Sequence, residues 1–227
     1  MKRLEGFTLV ELLVTMAIIG ILMAVVLNLQ NSTIRFTEQQ SSVAQRLQAL
    51  NDVSGYLGDR VKAAHAVPDG LTIDGSVCSR GGTVPCLAVV LPVVDPSCGL
   101  IVNWARHAYR YVARADIAST DKTPMPDQLG SVVVYGLQET RTESGASSGS
   151  CSAPMTTIPS TFTGAASSGM IADNLVLPAS GTPAFEYDSA KRTVTLRLRS
   201  AVIRRDTLDY TPRTTPYELT VFARNAL

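Results

Sequence analysis

The chain has 227 residues, 45% of them hydrophobic and 17% charged, with a formal net charge of +1 at pH 7. That is room for one folded domain of ordinary size plus an extended segment. A near-neutral chain has no overall pull toward nucleic acid, which leaves only a local basic patch for that role.

From Phe7 to Leu27 the chain reads FTLVELLVTMAIIGILMAVVL. As a helix this run is about 31 Å long, matching the hydrocarbon core of a bilayer. Lys2 and Arg3 precede it, and positive flanks stay on the cytoplasmic side, so the body of the protein is expected outside the cytoplasm. Three ordinary readings compete here. A cleavable secretory signal needs small residues near a cut site beyond the apolar run, whereas Asn28, Leu29, Gln30 and Asn31 follow it. A plain signal anchor leaves Glu11 unexplained, and a buried core helix does not usually run so long without polar residues. A carboxylate inside a membrane helix costs roughly 2.5 to 3.5 kcal/mol on insertion scales. The helix macrodipole returns little of that near the helix start. A positive group supplied by a neighbouring molecule would offset it.

The stretch Gly6-Phe7-Thr8-Leu9-Val10-Glu11-Leu12-Leu13-Val14 resembles the processing motif of type IV prepilins and pseudopilins. The resemblance implies a membrane-embedded prepilin peptidase that cuts between Gly6 and Phe7 and methylates the new amine of Phe7. It implies that Glu11 pairs with the N-terminal amine of an adjacent subunit during assembly. Pairing across subunits would offset part of the cost of two charges that are each expensive in lipid. The expected organisation is a leader at 1–6, a membrane-spanning and filament-core helix at 7–27, an amphipathic continuation at 28–67 and a β-rich globular domain at 68–227. The expected fold class is α+β, a long helix on an antiparallel sheet.

After Leu27 apolar residues recur at Val43, Leu47, Leu50, Val53, Leu57, Val61 and Ala64, the spacing of an amphipathic helix with one buried face. Gln39, Gln40, Gln45, Arg46, Gln48 and Asp52 are expected to face solvent or neighbours. The helix should run to about Ala66 and end at Pro68. Gly55 and Gly58 mark a kink or a close approach to the sheet, and Gly20 could admit tight packing between helices.

Cys78, Cys86, Cys98 and Cys151 all lie beyond the apolar segment, an even number that reads as two disulfides outside the cytoplasm. Three pairings are open. The favoured one closes a short loop between Cys78 and Cys86 and leaves Cys98 to Cys151. Zinc spacing is lacking, since there is no CxxC pair and His65 and His107 sit in unrelated segments.

Strand candidates follow. Leu87–Val94 is apolar and interrupted by Pro92, as on an edge strand. His107–Arg114 reads as a half-exposed strand and Ser131–Leu137 as a short one. Thr193–Arg199 alternates clearly, with Val194, Leu196 and Leu198 on one face, and is expected to pair with Tyr217–Ala223 across a loop from Asp206 to Pro216. Thr140–Gly169 is rich in Ser, Thr, Gly, Ala and Pro and reads as a long surface loop. It holds no Asn-x-Ser/Thr sequon; Asn31-Ser32-Thr33 falls on the long helix.

A second resemblance, to the larger minor pilins and J-type pseudopilins, rests on Leu47–Ala64, Phe185-Glu186-Tyr187, the late alternating strand and the ending Phe222-Ala223-Arg224-Asn225. It implies a low-copy subunit at a filament tip or in an initiating complex. The chain is longer than a typical major pilin, and no disulfide encloses its last segment.

No GxSxG elbow, P-loop, HExxH or GxGxxG occurs, so no enzyme activity, cofactor or metal is expected. His107 with Tyr109 and Arg106 reads as a strand-face cluster and Trp104 as core. Arg192, Arg197, Arg199, Arg204, Arg205 and Arg213 concentrate charge near the C-terminus. Arg197 and Arg199 share a strand face as a positive stripe, which opens DNA as a partner for a natural-transformation pilus. The expected partners are therefore other pilin or pseudopilin subunits, the prepilin peptidase and methyltransferase, the inner membrane before assembly, and possible DNA. The expected location is the inner membrane first and a periplasmic or cell-surface filament afterwards. The expected function is a structural subunit of a type IV pilus-like filament, serving assembly or initiation, twitching motility or DNA uptake. The alternatives are a type II secretion pseudopilin or a tip module binding DNA or a surface.

Overall fold

The computed structural model describes residues 9–226 except 74, 125, 146–148, 180 and 205–206. One helix, α1, spans Leu9–Ala63, and contacts divide the chain into two units, residues 1–45 and 46–227.

In the first unit the large apolar side chains from Leu9 to Phe36 are exposed. An 18-residue window there has a mean hydropathy of 2.7, long and apolar enough to cross a membrane by length and composition. Its described threonines bond back to the helix: Thr15 donates to the Leu12 carbonyl, Thr33 to Leu29 and Thr37 to Thr33. Such back-bonding satisfies a polar group without a partner outside the helix.

In the second unit α1 buries Leu50, Val53, Ser54, Leu57, Gly58 and Val61. Two sequence expectations fail at the start of this face. Leu47 is exposed, and Arg46, expected to face outward, is drawn in to Asp209 at 3.4 Å with both side chains 14% exposed. At 100° per residue Arg46 falls between Val53 and Leu57 on the large apolar side of the stripe, whereas Leu47 falls between Ser54 and Gly58 on its small-residue side. The helix stops at Ala63, short of the expected Ala66. There the His65 N–H donates to the Val90 carbonyl, and Ala66 bridges Val90, so the chain has already turned extended before Pro68.

The strands are β1 (Leu71–Ile73), β2 (Ser76–Cys78), β3 (Cys86–Val94), β4 (Ile101–Ala113), β5 (Gln128–Leu129), β6 (Val132–Val133), β7 (Tyr135–Glu143), β8 (Ala166–Leu175), β9 (Phe185–Asp188), β10 (Thr193–Leu198), β11 (Ser200–Arg204), β12 (Thr207–Thr211) and β13 (Tyr217–Phe222). Among the described residues they form a six-stranded sheet in the order β12-β11-β8-β7-β4-β3, a three-stranded sheet β13-β10-β9, and the small hairpins β1-β2 and β5-β6. All the pairings are antiparallel. The fold is α+β, the helix packed on antiparallel sheet, as in a pilin-like architecture.

β3 is an edge strand with Pro92 in it, where a missing N–H does least harm. β10 pairs with β13 from Thr193↔Phe222 to Leu198↔Tyr217, and Val194, Leu196 and Leu198 are fully buried. Three readings are corrected. β4 is not half-exposed: it lies between β3 and β7, and Trp104, Tyr109 and Tyr111 are buried. The presumed loop at Thr140–Gly169 loses both ends to strands, since β7 runs on to Glu143 and β8 begins at Ala166. Backbone bonds hold this Ser- and Gly-containing hairpin, with Thr142 opposite Ala166 and Glu139 opposite Gly169, so side-chain composition hid it. The segment Asp206–Pro216 is not all loop either, because β12 pairs with β11 within it.

One core joins the helix to both larger sheets. Leu50, Leu57 and Val61 of α1 meet Leu87, Tyr109 and Leu137 of the larger sheet and Phe185, Leu196 and Val221 of the smaller. Gly58 marks the closest approach: a Cβ there would lie 3.3 Å from Leu219 Cδ2 and 3.4 Å from Val221 Cγ2, whereas one at Gly55 would meet nothing within 4 Å. Gly58→Leu is therefore expected to destabilise the fold by about 1–3 kcal/mol through overpacking. Gly55→Ala is expected to stabilise it by about 0.5–1 kcal/mol by restricting the unfolded chain. Urea denaturation of the two variants would read both signs.

Candidate functional site

Gly6 and Phe7, the residues expected to be processed, lie outside the described residues. Glu11 stands in the first turn of α1 and is exposed, set among Leu9, Val10, Leu12 and Leu13, which are exposed with it. A carboxylate carried on an apolar helix surface suits an electrostatic contact that forms when a cationic partner arrives and apolar surface is covered.

The other polar groups of note are structural in their geometry. His107 Nδ1 lies 2.6 Å from Glu139 Oε1, and the same carboxylate accepts from Tyr56 Oη at 2.7 Å and Tyr109 Oη at 3.1 Å. Arg60 donates to the Tyr56 hydroxyl at 3.2 Å. This cluster ties the helix to β4 and β7, so His107 belongs with Glu139 rather than with Arg106, the neighbour expected from sequence. Burial pushes the Glu139 carboxyl up, but the hydrogen bonds from His107, Tyr56 and Tyr109 outweigh it and hold it at about 2. Burial likewise raises the Tyr109 and Tyr111 hydroxyls. With every ligand of Glu139 drawn from the fold itself, the cluster has the form of a fastening.

A second fastening escaped sequence reading. Arg114 is fully buried and pairs with Asp173, while also donating to the Thr123 carbonyl at 2.7 Å and Asn174 Oδ1 at 3.0 Å. Asp127 lies 3.6 Å from its Nε and takes Lys122 Nζ at 2.9 Å. Asn174 adopts φ 61°, a left-handed conformation that asparagine tolerates. These contacts pin the excursion between β4 and β7 onto the end of β8. Their separation in sequence leaves no local signal.

Arg205 and the side chain of Arg204 lie outside the described residues, and among those described the C-terminal arginines do not form the expected positive stripe. Arg197 is bracketed by Glu186 at 2.8 Å and Glu218 at 3.0 Å. Arg199 lies over the Tyr210 ring at 4.0 Å and donates to the Pro212 and Arg213 carbonyls. Arg213 faces Asp209 at 3.5 Å. Carboxylates on the two flanking strands thus neutralise Arg197, which a strand read alone presents as free charge.

The structure bonds Cys78 to Cys86 and Cys98 to Cys151, the pairing favoured from sequence. The second spans 53 residues and the first 8. In the loop-entropy model the longer closure contributes about 4 kcal/mol and the shorter about 2.5 kcal/mol. Asp95 lies beside the Cys98–Cys151 bridge. Sulfurs bonded to each other are not thiolate ligands, so this trio is not a metal centre.

With the geometry in place, the first 27 residues match the family described as the prokaryotic N-terminal methylation motif. The chain carries a type IV prepilin-type signal. Neither a curated protein nor a solved structure matches the chain. The signal implies processing by prepilin peptidase and assembly with other pilin subunits, and with the apolar helix it fits anchoring in the inner membrane followed by entry into a filament.

Two outcomes test the fastenings. The Glu139 carboxyl is held at about 2 in the fold against about 4.3 in an unfolded chain. Its contribution is complete above about pH 4.3 and is lost as pH falls through about 2. Glu139→Gln should flatten that part of the stability profile while lowering stability at neutral pH, read as urea midpoints across the range. Arg114→Leu should cost about 3–5 kcal/mol by leaving the half-buried Asp173 carboxylate without its cation, and adding Asp173→Leu should recover part of the loss, since it also removes the bonds from Thr123 and Asn174.

Proposed function

We propose that the chain is a minor pilin or pseudopilin, a structural subunit of a type IV pilus-like filament. The observation that carries this reading is the prepilin-type signal over residues 1–27, with Glu11 placed in the first turn of an apolar helix. In the proposed cycle the leader is removed after Gly6 and the Phe7 amine is methylated. The helix then leaves the membrane for a filament core where apolar packing replaces lipid contact. The Phe7 amine of one subunit and Glu11 of the next set the axial register, since two charges costly in lipid are cheaper when paired.

The globular unit serves this role as a disulfide-braced structural body. The softer resemblance of the C-terminal half is shared by larger minor pilins and J-type pseudopilins, so the proposal covers both a pilus and a secretion pseudopilus. DNA capture through the C-terminal arginines loses support, because Arg197 is paired on both sides.

Mass spectrometry of the N-terminal peptide, from membranes and from sheared filaments, tests the reading. A chain beginning at N-methylated Phe7 is expected, and Glu11→Val should leave processing intact while lowering incorporation into filaments by about tenfold or more. An unprocessed Met1 start in a cell with an active prepilin peptidase, or a cut beyond Leu27, would sink it.

A further inference from the structure

β13 has one open edge. It bonds to β10 on one side, and the Ala223 N–H donates to the Arg192 carbonyl. By the alternation of an antiparallel ladder, Tyr217, Leu219 and Val221 then also bond toward β10. Glu218, Thr220 and Phe222 therefore aim their backbone N–H and C=O groups the other way. Among the described residues no backbone bond reaches them. Natural edges are usually blunted by lysine, proline, a bulge or a covering segment. Tyr217–Phe222 contains no lysine or proline, pairs without a register shift, and carries an exposed Phe222.

Beside this edge runs a groove of about 810 Å³, walled by α1 from Asn51 to Lys62 and by β13. Gly55 faces open space along the helix wall. The charges around the groove are unequal. Lys62 is neutralised by Asp59 and Lys191 by Asp188, and Glu218 is committed to Arg197. Arg192 and Arg224, both exposed and both lining the groove, have no ion-pair partner among the described residues. Arg192 also stands at φ 53°, a left-handed position in which glycine is the less costly residue.

From these features we infer that the groove takes an extended acidic and apolar segment of another protein, which adds as a strand to the open edge of β13. Main-chain bonds to Glu218, Thr220 and Phe222 supply the register. Alternate side chains of the added strand reach the helix wall near Gly55, and its carboxylates meet Arg192 and Arg224. The excess positive charge selects acidic segments and disfavours a second copy of the same groove, whose arginines would repel. This inference stands on residues 46–226 and does not depend on the filament reading.

The test uses the full chain in detergent micelles and a dye-labelled peptide alternating Glu with Val, read by fluorescence anisotropy. Binding is expected to weaken with added salt and to be about tenfold or more weaker for the Lys/Val counterpart. Thr220→Pro removes an edge N–H that β10 does not use, and Gly55→Phe fills the groove from a position with free space; each should weaken binding about tenfold or more. Arg192→Gly relieves a left-handed arginine, so binding should fall while thermal stability holds or rises. Equal binding of the Lys/Val peptide, no binding of the Glu/Val peptide, or indifference to Gly55→Phe in a folded protein would overturn the inference. So would self-association of the unliganded chain that Thr220→Pro abolishes, which would assign the edge to a second copy.

Discussion

Burial of one stripe of α1, from Leu50 to Val61, is the constraint around which residues 46–226 are organised. That stripe meets the six-stranded and the three-stranded sheet in a single core, so the helix closes both sheets at once. Gly58 lets β13 approach where any side chain would press on Leu219 and Val221. Upstream, the same helix exposes nearly every apolar residue it has. One element therefore answers to two apolar environments: a protein interior for its second part, and for its first a bilayer or a packed filament core, as the prepilin-type signal indicates.

The polar interior complements that packing. Glu139 collects His107, Tyr56 and Tyr109 across the helix–sheet seam, and Arg114 collects Asp173, Thr123 and Asn174 across the far end of the sheet. Both use a charged group whose partners come from distant parts of the chain. Such pairs gain little net stability over apolar packing, but they are costly to break and so favour one arrangement. The two disulfides do comparable work, the buried Cys78–Cys86 bridge bracing the β2–β3 connection and Cys98–Cys151 the loop before β8.

Much of the functional reading was legible because it depends on local chemistry. A glycine–phenylalanine junction, a lone glutamate and an apolar run of bilayer length occupy adjacent positions, and none needs a distant partner to be recognised. β10 and β13 were legible for a similar reason, since alternation of Val194, Leu196 and Leu198 marks a strand with one buried face. β8 was not, because Ala166-Ser167-Ser168-Gly169 has a loop's composition and becomes a strand only by bonding to β7. Arg46 illustrates the same limit: a charged residue on a polar-looking turn proved to be drawn into the buried side of the helix, facing Asp209.

The sequence by itself determined the prepilin-type signal, the membrane-length helix, the amphipathic stripe and the α+β class, each written in near-neighbour spacing. Only the tertiary structure decided which charges are free. It neutralised Arg197 with residues of the two flanking strands, buried Arg114 against Asp173, and left Arg192 and Arg224 beside an open edge. Electrostatic state depends on distances of a few ångströms between residues tens to more than a hundred positions apart, and periodicity carries no record of those distances.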